Sequence, residues 1–229
     1  EYIFRGEKVN NYVKFNDKLW RIVKITSDGD IRLIEVTRNE TYVWDDRYNE
    51  TTQSSTGVNN YYFNDLSSRI KENLDDLYES ETLLTNDAKG FVKSTNLCIG
   101  KRTLEDITKD GSSECSSILK DQYLGLIQLN EYMIASLDNN CINANSTACS
   151  NYNYLADLKG NTWTLTANSE NDHQVYKISN RATTSNASSN GVARIVINIS
   201  DKTNVTGKGT LEKPYIVSGF SETLRELEK

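Results

Sequence analysis

Four cysteines and one histidine carry the most distinctive side-chain chemistry in this sequence. Cys98, Cys115, Cys141 and Cys149 show no Cys-x-x-Cys spacing, and His173 stands well away from all of them. Structural zinc sites draw on closely spaced Cys or His pairs, so no metal is expected here. The cysteine count is even, and the residues fall in two local pairs within loops rich in Ser, Asn, Asp and Gly. Cys98 with Cys115 and Cys141 with Cys149 is therefore the first pairing expected among the three ways of joining four thiols. The loops closed are short, and chain entropy assigns about 3 kcal/mol to each bridge. The opposing reading is four reduced thiols in a cytosolic protein. The polar setting and the clustering in pairs weigh against it and imply an oxidising, extracellular or cell-envelope location.

Other chemistries find less support. A Ser-His or Cys-His nucleophile has to use His173, which lies in the polar run Ser169-Glu170-Asn171-Asp172-His173 with no Gly-x-Ser-x-Gly elsewhere,. A glycosidase-type carboxylate pair among 32 acidic residues leaves no sequence signature,. No catalytic residue and no cofactor are assigned, and a binding role is expected over an enzymatic one. Glu170, Asn171 and Asp172 offer oxygens to calcium, but three adjacent polar residues without an EF-hand spacing are not specific,. Tyr152 and Tyr154 fall on one face if their segment is extended, and together with Asn171 and Asp172 they form the candidate ligand-binding set,. Trp163 and Trp20 are assigned to the core and Trp44 to its edge.

The 229 residues carry 37% hydrophobic and 25% charged side chains and a net charge of −6. That composition supports a packed core and lacks the basic stripe that nucleic acid requires,. No run of about 18 apolar residues is present to span a membrane. The chain opens at Glu1-Tyr2-Ile3 without an initiator Met, which is read as a trimmed or mature form whose N-terminal membrane anchor has been removed,.

The elements that must carry these residues begin with a meander: Tyr12–Phe15, then Leu19–Ile25, then Ile31–Val36, with Asp28-Gly29 as hairpin turn,. Phe63, Leu66, Ile70, Leu74 and Leu77 recur at helical spacing, with Asn59 or Asn60 as cap,. Leu104–Ile107 reads as a helical turn, Tyr123–Ile127 as a buried strand, and Asn130 as the N-cap of a short helix with Tyr132, Met133 and Leu137 inward. Strands follow at 162–166 and 174–178, a loop at 179–190, strands at 192–199 and 215–217, and a charged helical or foreign tail at 221–229. Helices segregate from strands, which implies a single α+β domain over 1–220, its antiparallel sheet closed by N- and C-terminal strands, with two helices and long disulfide-pinned loops.

Several segments together resemble an uncharacterised family of surface proteins from low-GC Gram-positive gut bacteria: Asn11–Phe15, Leu19–Val23, Trp44–Asn49, Leu97–Arg102, Thr108–Ser112, Tyr123–Ile127, Trp163–Thr166 and Lys213–Val217. The resemblance spans residues 2–218. It implies display on the cell surface, with a hydrophobic, in some members prepilin-like, segment upstream. The partners it implies are a carbohydrate or a host or neighbouring surface protein, or copies of the chain itself in a pilus-like fibre. Where many members read Gly-Val-Arg-Pro-Val-Ile-Asn-Leu, this chain has Gly191-Val192-Ala193-Arg194-Ile195-Val196-Ile197-Asn198-Ile199, with an extra Ala193 and Ile195 in place of Pro. The late Trp strand followed by this segment is also similar to the C-type-lectin-like fold, which includes the formylglycine-generating enzymes. Neither the enzymes' cysteine pair nor the lectins' calcium signature is present.

Overall fold

The computed structural model describes residues 1–158 and 160–218, so the tail expected at 221–229 lies outside the described residues. Among them the fold is α+β with strands in the majority. The expected meander is present: Tyr12–Phe15, Lys18–Ile25 and Ile31–Glu35 pair antiparallel in sequence order. Asn16 and Asp17 both take positive φ, the backbone that a tight two-residue hairpin demands,. Val196–Ile199 pairs with Ile31–Glu35, and Val92–Lys93 extends that edge. On the opposite side Tyr215–Ser218 lies against Tyr12–Phe15, and Asn204–Thr206 follows it. The N- and C-terminal strands do meet, but they run parallel, and among the described residues the strand order runs from Asn204–Thr206 at one end to Val92–Lys93 at the other without closing on itself.

A second sheet, which the sequence does not separate from the first, is centred on Thr162–Asn168. Gln174–Ser179 and Arg181–Asn186 lie to one side of it, and Asn190–Val192 and Thr41–Val43 to the other. The segment expected as a loop at 179–190 therefore contains a strand. Asn180 at positive φ reverses the chain sharply, and Arg181–Asn186 returns as an edge strand whose polar composition hid it,.

The helices are shorter than their periodicity implies. Helix α1 is Arg69–Glu79, capped by the Ser68 side chain accepting from Lys71 N, not by Asn59 or Asn60. Phe63 and Leu66 belong to a separate small hairpin, Tyr62–Phe63 with Leu66–Ser67, and are 59% and 60% exposed. Asn64 and Asp65 at its tip hold positive φ, which breaks the helical register before it starts. Helix α2 is the single turn Asn86–Lys89. Helix α3 is Leu129–Ala135, with Gln128 as N-cap and Glu131 closing a capping box,. Asn130 sits inside its first turn; Tyr132 and Met133 are buried as expected, whereas Leu137 is exposed beyond its end. Tyr123–Ile127 is buried through most of its length but contributes only one bridge, Gly125 to Val196, and Leu104–Ile107 is a non-helical turn.

Both faces of the first sheet are covered. Trp20, Leu33 and Ile197 pack with Trp44, Trp163 and Leu165 in one core; Val23, Ile34 and Val196 pack with α3, Tyr154 and Tyr176 in the other. Each core draws on both sheets. No described helix is long and apolar enough to cross a membrane.

Cys98–Cys115 and Cys141–Cys149 are joined, the pairing expected from their clustering. Such bridges persist in an oxidising environment. Their surroundings differ: Cys141 and Cys149 are fully buried, whereas Cys115 is exposed. The first loop is further fixed by Arg102, which donates to Glu114 at 2.9 Å and to the carbonyls of Asp106 and Thr108 at 2.8 and 2.9 Å. Mild reduction without denaturant, followed by alkylation, should label Cys98 and Cys115 well before Cys141 and Cys149. Peptide mass mapping that found equal labelling would contradict this burial order.

One buried lysine sets an alkaline stability window. Lys177 lies 3.9 Å from the Trp163 ring centre and donates to Asn190 O at 2.8 Å. Gly191 admits this packing, since a Cβ there would fall 2.9 Å from Lys177 Cε. Burial pushes the Lys177 ammonium down from 10.5 to about 8,. Above pH 8 the native lysine has released a proton that the unfolded chain still holds. Stability should therefore rise from pH 8 toward 9.5, by at most about 1.4 kcal/mol per unit. Lys177→Met should lose that rise in urea titrations; an unchanged slope would show that another group is responsible.

Candidate functional site

The candidate residues Tyr152 and Tyr154 do not share a face. Tyr152 is 61% exposed and holds positive φ, whereas Tyr154 is fully buried. Asn153 between them explains the split. Its side-chain amide donates to Tyr132 O at 2.8 Å and Cys149 O at 2.7 Å, and its oxygen accepts from Leu155 N at 2.9 Å. These bonds fold the segment into turns, so Tyr152 faces out beside Leu137 while Tyr154 passes into the core, its hydroxyl donating to Ile22 O at 3.3 Å.

Asn171 and Asp172 are likewise structural in their contacts. Asn59 donates to Asn171 O at 2.7 Å, and the Asp172 carboxylate accepts from Thr51 at 2.5 Å and Asn49 at 3.0 Å. The bond from Thr51, followed by those from Asn49 and His173, outweighs partial burial and holds the Asp172 carboxyl below the ordinary carboxylate range. The 170–173 loop is thereby fastened to the 49–59 loop. Among the described residues no group of three or more His, Cys, Asp or Glu is placed to hold a metal ion.

Tyr154 instead forms a wall of a cleft on the α3-covered face of the first sheet. The cleft has a volume of about 360 Å³, and its lining includes Tyr12, Arg21, Asn39, Asp157, Arg194 and Leu211. Arg21 is the most constrained of these side chains. The guanidinium lies 4.5 Å from the Tyr12 ring centre and 4.4 Å from that of Tyr154, stacked between two aromatic faces,. Nε donates to Asn11 Oδ1 at 2.8 Å and Nη2 to Val9 O at 3.3 Å. Asn11 is itself buried and anchored to Ile22 O. Desolvation draws the Arg21 pKa down from its usual value, and Tyr12, Tyr154 and Asp157 partly restore it. No carboxylate among the described residues lies within ion-pair distance of Arg21. Arg194, also buried, donates from Nε to Thr162 Oγ1 and from Nη1 to Val36 O on the same cleft.

Comparison of the chain with family models, curated proteins and solved structures finds no match in any of the three. The cleft's meaning therefore rests on its own geometry.

Sequence reasoning puts Tyr154 on one face with Tyr152 if the segment is extended, which the turn at Asn153 prevents, and it does not group Tyr12, Arg21 and Arg194 around the cleft. The available signal was an arginine within each of two apolar β-rich runs, Leu19–Ile25 and Val192–Ile199. A charged residue at a core-facing position needs a reason.

Asn153→Ala should destabilise by about 2–4 kcal/mol, because it leaves buried carbonyls unpaired. Tyr152→Ala should stay within about 0.5 kcal/mol. Urea unfolding of both variants checks the turn; equal losses would mean that Asn153 does not hold it.

Proposed function

We propose that the chain is a non-enzymatic recognition module displayed on the surface of a Gram-positive cell, and that it takes its ligand in the Arg21 cleft. The observation that carries this reading is the Arg21 guanidinium itself: buried, stacked between Tyr12 and Tyr154, and open to a cleft with no ion-paired partner among the described residues. A buried cation without a counter-ion is unfavourable, and a ligand that offers opposite charge relieves it. The two disulfides support an oxidising location, and the family resemblance supports attachment to the envelope. A C-type-lectin-like fold is supported by the Trp163 strand followed by the Gly191–Ile199 segment alone. The second reading is a subunit of a pilus-like fibre. Leu137, Ile142 and Tyr152 favour it, being exposed on and beside the second disulfide loop, where a neighbouring copy would bury them.

A glycan and host-matrix array tests the cleft with three proteins: wild type, Asn39→Trp and Tyr152→Ala. Asn39 is an exposed rim residue, so the indole should fill the cleft without disturbing the core. Asn39→Trp should weaken binding at least tenfold while Tyr152→Ala leaves it intact. Binding untouched by Asn39→Trp would remove the cleft, and binding lost only in Tyr152→Ala would move the site to the second disulfide loop.

A further inference from the structure

We infer that the group recognised in this cleft is a carboxylate carried on an acidic sugar, seated against the outer edge of Arg21; this rests on the recognition reading above. Two edges of the guanidinium are already committed, Nε to Asn11 and Nη2 to Val9, and Nη1 has no hydrogen-bond partner among the described residues. The side chain is 5% exposed and clamped by two rings, so little conformational freedom remains to be lost on binding,. A planar fork held in place is the geometry that receives a carboxylate.

The Arg21 edge and Asp157 together favour a monoanion. One guanidinium edge receives one carboxylate, and the Asp157 carboxylate in the described lining repels a phosphate dianion more than a singly charged group,. Asp157 is exposed and stands beyond ion-pair distance from Arg21, so it biases the site without occupying it. The remaining lining favours a sugar ring over a bare acid. Tyr12, Leu19 and Leu211 offer apolar surface, and Thr37 and Asn39 offer hydroxyl and amide groups at the rim. The volume of about 360 Å³ falls in the range of small-ligand sites,.

The test is a chemical-shift titration of the whole chain with D-glucuronate, D-glucose and acetate at fixed ionic strength, repeated on Arg21→Gln and Asp157→Asn. Glucuronate should move the Tyr12, Arg21 and Asn39 resonances with at least tenfold higher affinity than glucose or acetate. Arg21→Gln should abolish that preference, and Asp157→Asn should strengthen it a few-fold. The second variant and the wild-type titration keep the test decisive if Arg21→Gln does not fold. Glucose binding as well as glucuronate in the cleft would overturn the carboxylate and leave the recognition cleft standing. Acetate equalling glucuronate would overturn the sugar. Silence of the cleft resonances toward all three overturns the acidic-sugar assignment, and if array ligands also ignore Asn39→Trp, the recognition cleft falls with it.

Discussion

One carboxylate organises much of this molecule. Glu131 accepts from Arg32 Nε at 2.6 Å and Nη2 at 3.1 Å, takes the Gln128 backbone N–H at 3.0 Å, and has Lys24 at 3.8 Å. Burial pushes its pKa up, but Arg32 and Lys24 outweigh that and hold it below the ordinary range. A single buried group thus caps α3 and ties the helix to two strands of the first sheet. Breaking such a pair by removing one partner costs about 3–5 kcal/mol. The consequences run outward through named bonds. Tyr132 on α3 gives its carbonyl to Asn153, Asn153 folds the 152–158 segment, and that segment lays Tyr154 under Arg21. The cleft is therefore positioned by an ion pair that does not line it.

The same logic governs the polar loops. The chain is rich in Asn, Ser and Thr, and a composition of that kind ordinarily signals floppy connections. Here the short side chains substitute for backbone pairing. The two N–H groups of the Asn59 amide are shared among three carbonyls within 2.8 Å, those of Asn168, Asn171 and Gln174, and its own oxygen accepts from Lys101 at 2.5 Å,. Arg102 does comparable work in the first disulfide loop. Each disulfide adds to a segment that already has a hydrogen-bond framework, so the bridges lock loops that side chains have shaped.

This explains what was legible in the sequence. The meander was readable because β-branched and aromatic residues alternate there, and the disulfide pairing because the cysteines cluster. The Phe63 to Leu77 stripe misled because the hairpin at Asn64-Asp65 interrupts a spacing that looks helical throughout. The Arg181–Asn186 strand was invisible because a polar edge strand looks like a loop. Tyr152 and Tyr154 were separated by Asn153, whose effect depends on carbonyls from Tyr132 and Cys149 that no local window contains. Arg21 became meaningful only once Tyr154, 133 positions later, was seen to cover it. Long-range partners decide the site, and a linear reading does not supply them.

The parallel contact between Tyr215–Ser218 and Tyr12–Phe15 bears on how the polypeptide reaches its final state. Tyr12–Phe15 has one edge satisfied by its hairpin neighbour and the other only by a segment about two hundred residues further along the chain,. Until that segment arrives, a row of backbone donors and acceptors stays open. The last ladder of the main sheet thus forms only when the polypeptide between the two strands is available to bring them together, which couples that edge to the folding of everything in between,.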